Sequence, residues 1–151
     1  MHRTFVLAFV VIFAVGCGGK TPTSASPGSP LSVTITTNPI QAVSGTRGGP
    51  FEITWSAAYK ETQGKSLTFY GWDAKLTLQN GKTGIESHLV EKGTGTPIKP
   101  HGEGKMTMNG VQYVGGTSAT TDPTGTLVLT FHYSDADGVD YTTVAAADVV
   151  R

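Results

Sequence analysis

Residues 126–149 read TLVLTFHYSDADGVDYTTVAAADV. Leu127, Leu129, Phe131 and Tyr133 alternate with Val128, Thr130, His132 and Ser134. That period of two sends one set of side chains to each face of a strand. Asp137-Gly138 then supplies a turn, because Gly adopts positive φ without a steric penalty and Asp bonds the backbone just after it. The chain returns over 139–149 as a last strand. A long terminal hairpin of this kind predicts an all-β protein.

The same period recurs toward the N-terminus. Phe51, Ile53, Trp55 and Ala57 alternate with Glu52, Thr54 and Ser56, which puts Trp55 on an apolar face. Trp72, Ala74, Leu76 and Leu78 alternate with polar residues up to Asn80-Gly81, a strong hairpin signal. Leu31, Val33 and Ile35 form a half-buried strand closed by Asn38-Pro39, and 40–43 reads as a short continuation. Further strands are expected over 83–90 and over 105–114, the latter interrupted at Asn109-Gly110. Residues 44–50, 61–65, 93–104 and 115–125 read as turns and loops. The count is about seven strands over 31–151, at the spacing of a small sandwich or barrel. Composition agrees: 20 glycines for turns, 38% hydrophobic residues for one core, and few long helix-favouring runs.

The first 17 residues, MHRTFVLAFVVIFAVGC, follow another pattern. Arg3 precedes an uncharged apolar run over 5–15. Eleven residues are too few to span a bilayer as a helix, which takes about 20, but suit the core of a signal peptide. Ala14-Val15-Gly16-Cys17 resembles a lipobox, the processing motif of bacterial lipoproteins, with Ala14 where Leu is usual. The resemblance implies cleavage after Gly16, a diacylglyceryl thioether on Cys17 and an acyl chain such as palmitate on the new N-terminus. Gly18, rather than Asp, after the cysteine implies the outer membrane. Several acyl chains, at about 0.8 kcal/mol per buried CH₂, make a durable anchor. Cys17 is the only cysteine, so no intramolecular disulfide forms. Residues 18–30, GGKTPTSASPGSP, read as a flexible linker with a span of about 20 Å. The expected organisation is a signal peptide over 1–16, a lipidated cysteine and linker over 17–30, and one domain over 31–151.

That domain resembles a bacterial immunoglobulin-like or fibronectin-like β-sandwich. The carriers are the Phe51–Trp55 segment, the Trp72 strand and the closing hairpin. No cysteine pair brackets the tryptophans, so the antibody-type variant is not implied.

Candidate chemistry is sparse. Lys plus Arg and Asp plus Glu number 11 each, and loss of Arg3 with the leader leaves a slightly acidic chain without the clustered basic patch that nucleic acid requires. Asp135, Asp137 and Asp140 would offer oxygens to Ca²⁺, but Gly138 follows the second Asp directly and no Glu closes an EF-hand loop; a plain hairpin turn explains the same residues. His88, His101 and His132 have no zinc-type spacing. No G-x-S-x-G elbow is present, and Glu86, Glu91, Glu103 and Asp73 form no distinctive carboxylate pair. Tyr70 beside Trp72 would make a glycan-stacking platform if exposed; core packing is the alternative. The reading is a non-catalytic, membrane-anchored envelope lipoprotein without a cofactor, whose domain binds or scaffolds another molecule, an envelope protein or a glycan. A carbohydrate or cell-wall-binding module is the first alternative, and a small metal-dependent or hydrolytic enzyme the second.

Overall fold

A computed structural model describes residues 23–25, 28–44, 51–110 and 123–151. The expected leader and Cys17 lie outside them. The described residues are all-β apart from one 3₁₀ turn, Lys92–Thr94. Its strands are β1 (Thr23–Ala25), β2 (Leu31–Ile35), β3 (Ile40–Ser44), β4 (Phe51–Glu61), β5 (Leu67–Leu78), β6 (Thr83–Leu89), β7 (Thr96–Ile98), β8 (Glu103–Gly110), β9 (Gly125–Asp135) and β10 (Asp140–Val150).

All ten join one mixed sheet with the path β2-β4-β3-β10-β9-β5-β6, while β1 pairs with β10, β7 with β5 and β8 with β4. Among the described residues only the β3–β10 pairing is parallel. Strand β3 is the hinge of the architecture: Ile40 and Gln41 pair with β10, whereas Ala42 to Ser44 pair with β4. The sheet folds over there, and its two halves share one core. Trp55 of β4 meets Trp72 of β5 edge-on at 5.5 Å and Phe131 of β9 at 5.7 Å, although β4 is hydrogen-bonded to neither strand.

Each periodic segment became a strand, and three short strands exceed the expected seven. Strand β3 is the continuation over 40–43. Strand β7 lies in the expected 93–104 loop, where Pro97 masks any alternation, yet Ile98 is a buried plug. Strand β1 lies inside the stretch read as a flexible linker, with Thr23 opposite Ala145 and Ala25 opposite Thr143. Backbone pairing needs no apolar side chain, so composition carried no sign of it.

Strand β5 starts five residues before its legible alternation. Leu67 and Phe69 face the core, and so do Trp72, Ala74, Leu76 and Leu78; a bulge at Tyr70-Gly71 absorbs the change of parity, and the register against β9 shifts there. Gly71 has φ +151°, and a Cβ on it would sit 2.1 Å from the His88 carbonyl oxygen. Gly71→Ala is therefore expected to cost about 3 kcal/mol and to free the end of β6, read as faster amide exchange at Leu89 and Val90.

Candidate functional site

The bulge turns Tyr70 away from the core, so it stands with the outward-facing side chains of β5 and β9. Its ring lies 6.1 Å from that of His132. Its hydroxyl donates to Asp140 Oδ1 at 3.4 Å, and the Lys92 ammonium sits 5.6 Å over its ring while donating to Asp140 Oδ2. Across the strand, His132 Nε2 bonds Asp73 Oδ2 at 2.7 Å, and Ser87 Oγ donates to Asp73 Oδ1. Ser87, Asp73, His132, Tyr70, Asp140 and Lys92 thus form one continuous row over β6, β5, β9 and the hairpin tip.

Electrostatics follow from these contacts. The Ser87 hydrogen bond, aided by His132, holds the Asp73 carboxyl below its usual value against the effect of burial. Lys92 does the same for Asp140 and is itself raised by that bond. Burial, then the Asp140 charge, pushes the Tyr70 phenol up, so it remains a hydrogen-bond donor. In chemical terms the row is a fixed hydrogen-bonding surface. Ser87 donates to the Asp73 carboxylate and not to the His132 imidazole.

Beside the row lies a cavity of about 190 Å³ between the bulge and the 90–96 loop, walled by Phe69, Tyr70, His88 and Val90. Gly95 lets that loop close down, since a Cβ there would lie 2.2 Å from the Phe69 carbonyl oxygen. Of the exposed large hydrophobic residues among the described ones, Val90 lines this cavity and Leu89 lies against Gly71 beside it.

The sequence candidates fall as follows. Tyr70 and Trp72 do not share a surface: Trp72 is 3% exposed and packs inward on Trp55, whereas Tyr70 is 9% exposed and outside the core cluster. The expected side-by-side platform is replaced by two opposite faces, because the bulge inserts a residue between them. Asp135, Asp137 and Asp140 do not converge. Asp135 Oδ1 accepts the backbone N–H groups of Asp137 and Val139, and its Oδ2 accepts from Lys65 and Tyr141, both at 2.9 Å. Asp140 turns to Lys92 and Tyr70. Among the described residues no three His, Cys, Asp or Glu side chains come together to hold a metal ion. No sequence spacing marks Asp73, His132, Ser87 and Lys92 as a group. Each occupies a polar position that reads as ordinary surface, and only the β5–β9 and β5–β6 registers bring them together.

No protein-family model matches the chain, and no curated protein matches it. Several solved structures are similar, and two of them align over most of both chains. The Northeast Structural Genomics Consortium target SoR45 aligns with a TM-score of 0.56 at 13% identity, over 76% of this chain and 81% of that one. The putative ApaA protein from Bordetella pertussis aligns with a TM-score of 0.56 at 14% identity, over 85% of this chain and 94% of that one. At such identities the likeness is one of fold.

Proposed function

We propose that the protein is an envelope lipoprotein, anchored in the outer membrane through acylated Cys17, whose domain is a non-catalytic immunoglobulin-like sandwich that binds another envelope protein through the surface around Tyr70. The anchor rests on one observation: the sole cysteine directly follows Gly16 at the end of a charged-then-apolar leader. The sandwich reading is supported by the folded-over sheet and its shared core of aromatic residues from β4, β5 and β9. The binding face is supported by its make-up, since a tyrosine within a fixed polar row, beside exposed Leu89 and Val90, is the composition of a protein interface centre more than of ordinary surface.

Metabolic labelling with palmitate tests the anchor. The full chain is expected to take up label and enter a detergent phase, and Cys17→Ser to lose both; an unlabelled wild-type chain would refute the reading. A photo-crosslinker at Val90 is expected to capture one dominant protein in cells, and one at Lys105, on the outer face of β8, to capture none. Capture of glycan alone at Val90 would favour the carbohydrate-binding alternative.

A further inference from the structure

The direction of β1 decides which pole of the domain faces the membrane. Strand β1 runs antiparallel to β10, from Thr23 opposite Ala145 to Ala25 opposite Thr143. The chain therefore arrives from the side of Val149 and moves toward the Asp135–Asp140 hairpin. At that far pole Pro30 O accepts the Thr62 N–H at 2.8 Å, and β2 then descends from Leu31 opposite Glu61 to Ile35 opposite Ala57. The two poles are distinct in register. Leu78, Gly125, Val149 and Ile40 form the near pole. Leu67 opposite Asp135 and Ser134 opposite Asp140 mark the far one, where the Tyr70 row lies.

We infer that β1 holds the domain with its Leu78–Val149 pole toward the bilayer and the surface around Tyr70 pointing away from it; this rests on the anchoring of Cys17 proposed above. Six residue steps join Cys17 to Thr23, a reach of about 20 Å at most. From the level of Ala145 to that of Val149 is about 13 Å, so the tether clears the near pole with length to spare. To bring the far pole down, the same tether would have to reverse beside β1 and travel about 17 Å to pass Asp140, which consumes nearly all of it. A binding face turned from the bilayer is open to a partner that approaches from solution or is fixed to another layer of the envelope.

The test uses the full lipidated chain in liposomes that carry an acceptor-labelled lipid. Acylated Cys17 leaves no free thiol, so Lys82→Cys or Asp137→Cys each provides one site for a donor dye. The two turns are about 35 Å apart along β5 and β9. Energy transfer to the bilayer is expected to be severalfold stronger from position 82 than from 137, and to converge when Thr23, Ser24 and Ala25 are all replaced by Pro, which deletes the β1 backbone donors. Equal transfer from both positions in palmitate-labelled protein, or stronger transfer from 137, would overturn the orientation while leaving the anchor intact. A difference that survives the proline replacement would overturn the role of β1. Failure to label or to bind liposomes would overturn the anchor and the orientation with it.

Discussion

Glu61→Gln is expected to lower stability by about 3 kcal/mol, measured as a fall in the urea midpoint at neutral pH. Glu61 ends β4 on the inward-facing parity of Ala57 and Tyr59, and it is fully buried. Its Oε1 accepts the Gln63 N–H at 2.7 Å, and its Oε2 accepts those of Gly64 at 2.8 Å and His101 at 2.7 Å. One carboxylate thus binds two loops. It supports Gly64 at φ +73° and His101 at φ +55°, both in the left-handed region. Glutamine keeps one acceptor but aims an amide donor at backbone donors, which leaves buried N–H groups without a partner. Burial alone would raise the Glu61 pKa, but the backbone hydrogen bonds from His101, Gln63, Lys65 and Gly64 outweigh it, and the net shift is below the ordinary 4.5. A depressed folded pKa means that this stabilisation is complete above the ordinary carboxylate range and is lost as pH falls through the folded value. Asp135, held at about 2 chiefly by its bond from Lys65, acts in the same direction. The wild type is therefore expected to lose stability progressively below pH about 4.5, and Glu61→Gln to show a flatter decline. An equal slope in both proteins would show that Glu61 is not the acid-sensitive clamp.

Trp55→Ala is expected to cost about 3–5 kcal/mol, a large share of the roughly 5–15 kcal/mol that a domain of this kind possesses. Trp55 is 2% exposed and touches Trp72 and Phe131 edge-on, at interplanar angles of 87° and 84°. Those contacts cross between the two halves of the folded sheet. An alanine there removes both ring contacts, worth about 0.5–1.5 kcal/mol each beyond area burial, and leaves a void that hydrogen-bonded backbones cannot close. Trp55→Phe retains one ring and is expected to lose about half as much. Calorimetry with near-ultraviolet circular dichroism checks this. Survival of the native tryptophan signal and melting temperature in Trp55→Ala would mean that the halves are held mainly by β3.

The row around Tyr70 and the Glu61 clamp lie at the same pole of the domain, with the Lys65–Asp135 ion pair between them. Loosening the clamp is thus expected to disturb the neighbouring hairpin tip before it reaches Lys82 or Gly125.

Local chemistry in the sequence determined the all-β character, the long terminal hairpin with its Asp137-Gly138 turn, and the inward set from Phe51 to Ala57. It also determined the leader-like segment that ends at Cys17. These depend on side-chain alternation and turn preference, which neighbours in the chain settle between themselves. The tertiary structure alone decided the rest. Tyr70 and Trp72, two positions apart, were separated onto opposite faces because a bulge costs one residue and reverses parity. Asp73 and His132, which lie far apart in the chain, were joined because the β5–β9 register sets Asp73 beside the rung of Gly71 and His132. Glu61, polar in a run that looked finished, became a buried strand end because two distant loops supplied the donors its carboxylate needed. Strand β1 was invisible in a Gly, Ser, Thr and Pro stretch because what ordered it was the free edge of β10, and an edge exists only once the sheet has formed.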